Sequence, residues 1–147
     1  MIALIQRVTE ASVIVADERI AVIGAGMLAL IGVEAGDSER SAERLAQRIL
    51  GYRIFQDNQG RMNFDLLAAG QELLLVPQFT LVADTSKGRR PGFSRAASPE
   101  QADLLFNFLA EHTRPQVTKL GLGRFGADMK VALVNDGPVT FWLRADP

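Results

Sequence analysis

The feature that most constrains the fold is a short, almost wholly apolar segment from Met27 to Val33, which runs MLALIGV. Turn-forming residues bound it on both sides, with Gly24-Ala25-Gly26 before it and Gly36-Asp37-Ser38 after it. A run of this length and composition is typical of a strand whose two faces are both covered. The segment therefore predicts an internal strand with other elements packed against each face.

The rest of the chain is dominated by strand-like runs, together with two segments of helical spacing. Ile2 to Val15 is rich in β-branched residues, and Arg19 to Ile23 follows it after a turn. One helix is predicted from Asp37 or Ser38 to about Leu50, and a second begins at Ser98, where Gln101 completes a capping box. The expected fold class is α/β with mostly antiparallel strands, as a barrel or two packed sheets with two or more outer helices.

Length and composition narrow the class of protein further. The 147 residues are 48% hydrophobic and 22% charged, which predicts one domain over residues 1–147. No apolar run is long enough to span a membrane, and the first residues lack the pattern of a signal peptide, so a cytoplasmic location is expected. With no cysteine, a thiolate nucleophile and a zinc–thiolate site are excluded.

The catalytic side chains that most hydrolases use are missing from the sequence. His112 is the single histidine, and its place in the last turn of the second helix favours a structural role beside the helix dipole. Neither HExxH nor GxSxG occurs, so no metal and no cofactor are expected. An enzyme of this composition needs a substrate that is already reactive, with backbone N–H groups to stabilise an oxyanion.

Two further segments are unusual for strands. Leu73 to Leu81 is predicted as a strand although it contains Pro77, a combination typical of an edge strand with a bulge. Asn135 to Thr140, NDGPVT, lies between two apolar runs and predicts a hairpin turn.

A local basic segment stands out against a net charge of −1. It carries four positive charges and no acid, at Lys87, Arg89, Arg90 and Arg95. On charge alone this segment, called the basic loop below, is equally consistent with a solvated surface and with a contact to nucleic acid.

Five segments together identify a family. MIALIQRVTEASV at the start, LGYRIFQD, QFTLVAD and RPGFS in the middle, and VNDGPVTFW at the end resemble the D-aminoacyl-tRNA deacylases over the whole chain. The pair QFTL and GPVT, in this order and at this spacing, is highly specific. One departure is Pro77, where the family usually has serine, so no role of that hydroxyl or of its N–H carries over.

The resemblance implies a cytoplasmic homodimer that removes D-amino acids, and wrongly attached glycine, from tRNA by hydrolysis of the ester. It implies active sites at the dimer interface, with no membrane or DNA partner. The implied catalytic residues are Gln78, Phe79 and Thr80, which face Gly137 and Pro138 of the other subunit across a cis peptide that Arg7 helps to hold.

Chemistry and stereochemistry fit these roles. The N–H groups near Phe79 and Thr80 are expected to stabilise the oxyanion, while water attacks with help from the ribose 2′-hydroxyl, because no base is available to activate Thr80. Carbonyls beside Cα would exclude an L side chain by clash and admit glycine. The basic loop would then contact tRNA phosphates.

Three alternatives remain open at this point. The first is a non-catalytic RNA- or nucleotide-binding dimer on the same fold. The second is a deacylase of relaxed specificity that accepts L-alanine, and the third is a stable oligomer without activity.

Overall fold

The computed structural model describes residues 1–146 and has a mixed α/β architecture dominated by strands, as the sequence predicts. The strands are β1 (Ile2–Val15), β2 (Glu18–Ile23), β3 (Gly26–Gly32), β4 (Phe55–Gln56), β5 (Met62–Phe64), β6 (Glu72–Pro77), β7 (Leu120–Leu122) and β8 (Lys130–Arg144). The helices are α1 (Glu39–Gly51), α2 (Leu66–Ala69) and α3 (Pro99–Thr113), with 3₁₀ turns at Phe79–Val82 and Arg114–Gln116. Of the helices in residues 1–146, none is long and apolar enough to cross a membrane.

Six strands form the main sheet, in the order β2-β1-β3-β6-β7, and β8 pairs with β1. The three pairings of β1 are antiparallel, whereas β3–β6 and β6–β7 are parallel and are connected through the helices. The sheet curls until β2 packs on β7, where a Cβ built at Gly121 would lie 3.5 Å from the Cβ of Ala21. The result is a nearly closed barrel with helices outside.

Strand β3 is buried on both faces, which confirms the prediction from Met27 to Val33. Met27, Ala29 and Ile31 belong to the larger apolar cluster, which also contains the inner faces of α1 and α3. Leu28 belongs to a second cluster inside the barrel, formed with the far half of β1. Because successive residues of a strand point to opposite faces, this one segment joins both cores.

The two long helices begin side by side, near the carboxyl end of β3. Ser98 Oγ accepts a hydrogen bond from Gln101 N at 3.2 Å, so the predicted cap of α3 is confirmed. The reciprocal half of the predicted capping box is wrong, since Gln101 Nε2 donates to the Asp37 carbonyl at 3.0 Å. This bond ties the start of α3 to the start of α1.

The hairpin predicted at Asn135–Thr140 is wrong, because β8 runs without reversal from Lys130 to Arg144. Both halves of β8 pair with β1 in the same direction, with Asn135 opposite Val8 and Thr140 opposite Gln6. Four residues, 136–139, therefore stand opposite Arg7 alone, three more than a regular ladder would place there. We call this insertion the Gly-Pro bulge.

The strand predicted from Leu73 to Leu81 ends at Pro77, and the interpretation of this segment as an edge strand is wrong. Strand β6 lies between β3 and β7, where a proline would ordinarily break the ladder. Pro77 is tolerated because it is the last residue of the strand, and Gln78 N makes the final bond, to the Ile31 carbonyl at 2.7 Å.

Candidate active site

The chain leaves β6 through Gln78, Phe79 and Thr80, which begin a 3₁₀ turn at the surface. Phe79 is 59% exposed, an unusual position for a large aromatic side chain. Among residues 1–146, the N–H groups of Phe79 and Thr80 have no hydrogen-bond acceptor, although the turn is closed by bonds from Leu81 and Ala83. The turn therefore carries two adjacent backbone donors without an acceptor among the described residues, as an oxyanion site requires.

Gln78, Phe79 and Thr80 are called the trio below. Among residues 1–146, the one hydrogen bond of their side chains is donated by Gln78 Nε2 to Thr80 Oγ1. An amide is not a base, so this contact does not activate the threonine hydroxyl as a nucleophile. His112 lies on α3 and stacks against Phe108, with ring centroids 6.3 Å apart. In residues 1–146, no group of three or more His, Cys, Asp or Glu side chains is placed to hold a metal ion.

A cavity of about 470 Å³ opens beside Gln78 and Phe79, and its walls are mainly apolar. It was not predicted from the sequence, because its walls come from three distant segments. The lining comprises residues 76–79 at the end of β6 and just beyond it, Ala96, Ala97, Pro99 and Ala102 around the start of α3, and Phe125, Gly126, Ala127, Met129 and Val131 around the β7–β8 loop. A cavity of this volume accommodates a group as large as a nucleoside.

The basic loop is anchored against the trio. Phe93 packs on Phe79 with ring centroids 5.2 Å apart, and Asp84 exchanges two backbone hydrogen bonds with Gly92, at 2.7 and 3.0 Å. Hydrogen bonds from the side chain and the N–H of Ser86 hold the pKa of Asp84 below its usual range. The four basic side chains of the loop are all exposed, at Lys87, Arg89, Arg90 and Arg95.

Hydrogen bonds of the side chain of Asn135 hold the two ends of the Gly-Pro bulge together. Asn135 was not among the site residues predicted from the sequence. Asn135 Oδ1 accepts from Val139 N at 2.7 Å, and its Nδ2 donates to Thr140 Oγ1 at 3.0 Å. The Gly137–Pro138 peptide is cis, as the family resemblance implies, and both residues are exposed. Gly137 has a φ of 144°, and a Cβ there would lie 2.6 Å from Val139 Cγ2, so only glycine fits.

Arg7 lies beneath the bulge and is only 8% exposed. Its Nε donates to the Asp136 carbonyl at 2.9 Å, and its Nη1 donates to the Ile54 carbonyl at 2.7 Å. Nε is also 3.6 Å from the Asp136 carboxylate. One buried guanidinium thus connects the bulge to the body of the domain.

Within one chain, the bulge and the Gln78–Thr80 trio are far apart. Strands β1 and β3 separate β8 from β6, and Arg7 is level with Met27 whereas Pro77 is level with Ile31. Three strand spacings across the sheet and four residues along it amount to roughly 20 Å. A single chain therefore brings the basic loop to the trio but leaves the bulge elsewhere.

Known proteins of one family are similar to this chain over nearly its whole length. A family model described as D-Tyr-tRNA(Tyr) deacylase matches residues 4–144. Curated D-aminoacyl-tRNA deacylases from Enterobacter sp. (strain 638) and Pectobacterium atrosepticum are 56% and 58% identical over 144 residues, covering 98% of this chain and 99% of each relative.

Solved structures show the same fold. One described as c-Myc DNA Unwinding Element Binding Protein is 37% identical, with a TM-score of 0.95 and full coverage of both chains. Another, described as a probable eukaryotic D-amino acid tRNA deacylase, is 15% identical with a TM-score of 0.86 over 97% of each chain. At 15% identity the likeness establishes the fold alone.

Proposed function

This chain belongs to the D-Tyr-tRNA(Tyr) deacylase family and is a D-aminoacyl-tRNA deacylase, a hydrolase; we propose that it acts through backbone groups at an interface between two copies. The substrates proposed are tRNAs that carry a D-amino acid or wrongly attached glycine. The observation that carries the mechanism is the pair of N–H groups at Phe79 and Thr80 that have no acceptor among residues 1–146, in a turn whose own side chains include no general base.

A homodimer would complete the site. The bulge is exposed and rigidly held, yet roughly 20 Å from the trio of its own chain. The trio, in turn, has an open cavity beside it and no group that distinguishes the two hands of an amino acid. In the proposed dimer, Gly137 and Pro138 of one subunit stand over Gln78, Phe79 and Thr80 of the other.

The cavity beside the trio suits the terminal adenosine of tRNA. Its volume of about 470 Å³ and its mainly apolar walls fit a base and its ribose, leaving the ester at the mouth next to Phe79. The four cations of the basic loop, Lys87, Arg89, Arg90 and Arg95, would contact phosphates of the adjoining acceptor end without reading sequence.

The proposed reaction is attack of water on the ester carbonyl. The new oxyanion is stabilised by the N–H groups of Phe79 and Thr80, and its collapse breaks the bond to the ribose oxygen. The neighbouring ribose hydroxyl accepts the proton of the attacking water and passes one to the departing oxygen. The free amino acid and intact tRNA are released, and the protein undergoes no covalent change.

Chirality would be read at Cα by the carbonyl groups of the bulge. The D and L forms exchange the positions of hydrogen and side chain, so a wall that admits only hydrogen excludes the L form by clash. The hydrogen bonds of Arg7 and Asn135 give this wall the rigidity that the discrimination requires. Glycine has no side chain and would pass, as would D side chains of many shapes.

A single assay tests the proposed function against its rivals. Release of amino acid is measured from D-Tyr-, L-Tyr-, Gly- and L-Ala-tRNA with the purified protein at matched concentrations. We expect turnover of the D-Tyr and Gly esters only. Turnover of L-Ala-tRNA would instead indicate relaxed specificity, and binding of tRNA without any turnover would indicate a non-catalytic RNA-binding dimer.

Replacement of Pro77 by serine, the usual family residue, should change little. The backbone nitrogen of residue 77 lies on the side of β6 that faces away from β3, past the point where the pairing of β6 with β7 ends. A serine N–H there would therefore add no ladder bond. Gln78 N keeps its hydrogen bond to the Ile31 carbonyl whichever residue precedes it. We expect kcat/KM of Pro77→Ser on D-Tyr-tRNA to remain within about threefold of the parent, or less than 1 kcal/mol. A parent protein that is inactive until serine is restored would contradict this expectation.

A further inference from the structure

Helix α1 carries a row of three arginines on its solvent face, which the mechanism does not use. Arg40, Arg44 and Arg48 recur every fourth residue and are all exposed. Four residues rise about 6 Å along a helix, so the three charges extend over about 12 Å on one side. Glu39 and Glu43 occupy the adjoining row of the same face.

This row continues from the basic loop. Ala35 N, just before α1, donates to the Arg95 carbonyl at 2.9 Å, and Glu34 forms an isolated β-bridge with Ala96. The backbone of the last basic residue of the loop therefore lies beside the segment that leads into α1. Arg95, Arg40, Arg44 and Arg48 follow one another along the surface, and we call this series the basic track.

The arginines of α1 are not engaged in close ion pairs with the described residues, although, after the hydrogen bond that Arg144 donates to Asp146, the charge of Arg44 is near enough to help lower the pKa of that carboxyl. Within residues 1–146, none of the three forms a salt bridge. Glu34 and Asp146 are both held by Arg144, at 2.8 and 2.6 Å, and Arg48 is bonded to the Arg144 carbonyl. Like charges four residues apart destabilise a helix slightly, so the row of arginines does not contribute to the stability of the isolated domain.

We propose that the basic track is a second tRNA contact, in which α1 binds phosphates of the acceptor stem while the basic loop binds those nearest the ester. The proposal rests on the proposed function, because it takes tRNA as the ligand. A series of flexible cations that leads away from the active site matches a phosphate backbone that leads away from the terminal adenosine. Such contacts position the substrate and read no sequence.

The test compares binding of uncharged tRNA by Arg40→Gln/Arg44→Gln with binding by the parent over a series of salt concentrations. Arg48 is left in place because it is bonded to the Arg144 carbonyl. A matched control, Arg19→Gln/Arg61→Gln, removes two exposed arginines outside the track. We expect the α1 variant to bind roughly threefold to tenfold more weakly, as for two exposed ion pairs, and its log–log salt slope to flatten by about two.

A second measurement separates this proposal from the proposed function. Hydrolysis is compared on D-Tyr-tRNA and on the D-tyrosyl ester of adenosine alone, which has no stem. We expect the α1 variant to lose activity on the full tRNA only. Unchanged tRNA binding and salt slope in a folded α1 variant would overturn the basic track even if the parent is active. An inactive parent whose tRNA binding still depends on Arg40 and Arg44 would overturn the proposed function and leave the track standing.

Discussion

Replacement of Arg7 by alanine should reduce kcat/KM on D-Tyr-tRNA and, more tellingly, the discrimination between D- and L-Tyr-tRNA. The guanidinium is the buried donor that joins the Asp136 carbonyl to the Ile54 carbonyl, at 2.9 and 2.7 Å. Without the guanidinium, the bulge keeps its hydrogen bonds to the Asn135 side chain but loses those that Arg7 makes between the bulge and the rest of the domain. We expect the D-to-L ratio of kcat/KM to fall by about tenfold or more, or about 1.4 kcal/mol.

The same substitution should lower the stability of the domain. Two partly buried carbonyls are left without their charged partner, and each such loss costs about 1–3 kcal/mol. We expect the free energy of unfolding to fall by about 2–4 kcal/mol. Arg7→Lys keeps the charge but cannot reach both carbonyls with a planar fork, so both effects should be intermediate.

Chemical denaturation, together with steady-state kinetics on both stereoisomers, measures these effects. Arg61→Ala, which removes an exposed arginine with no side-chain partner among residues 1–146, is the matched control and should alter neither. A folded Arg7→Ala protein with full D-to-L discrimination would show that Arg7 serves stability alone. The hydrogen bonds of Asn135 would then be sufficient to hold the bulge in its discriminating conformation.

A segment whose conformation depends on its own residues was predicted correctly, whereas a segment whose conformation depends on residues distant in the sequence was not. Met27–Val33 was predicted correctly because burial on both faces is recorded in the segment's own composition. Asn135–Thr140 was predicted wrongly as a hairpin, because its conformation is decided by β1, whose single residue Arg7 stands opposite four. Asn-Asp-Gly favours a turn locally, and pairing of both flanks with one strand overrides that preference.

The same distinction between local and distant determinants applies to the candidate site. The lack of catalytic side chains was visible in composition, and the free N–H groups at Phe79 and Thr80 agree with it. The family resemblance supplied the candidate site residues, and the geometry added Asn135, whose side chain accepts a hydrogen bond from Val139 N in the bulge. The apolar cavity could not have been predicted, because Phe125 and Met129 reach the trio only through the packing of the β7–β8 loop.

Removal of the 2′-hydroxyl from the terminal adenosine of D-Tyr-tRNA should slow hydrolysis far more than removal of the hydroxyl of Thr80. General acid–base assistance contributes about 10²- to 10⁴-fold to such reactions. The substrate's own hydroxyl is the group proposed to supply it, since the partner of Thr80 Oγ1 within residues 1–146 is an amide donor and not a base. We expect kcat on the deoxy substrate to fall by about 10²-fold or more.

The uncatalysed hydrolysis of both esters provides the control. A neighbouring hydroxyl also activates an ester in free solution, so only the loss beyond the change in buffer reports on the enzyme. Equal losses with and without enzyme would mean that the 2′-hydroxyl takes no part in the catalysed proton transfer. The proposed assistance by the substrate would then be wrong.

Thr80→Ala tests the competing role of the side chain on the unmodified substrate. The substitution removes the bond to Gln78 but leaves the N–H groups of residues 79 and 80 in the same turn, so we expect kcat to stay within about tenfold of the parent, less than 1.4 kcal/mol. Loss of all turnover, together with a covalent ester trapped on Thr80 in the parent protein, would identify threonine as the nucleophile. The two free N–H groups would still stabilise the oxyanion in that case, because either nucleophile generates the same negative charge at the ester carbonyl oxygen.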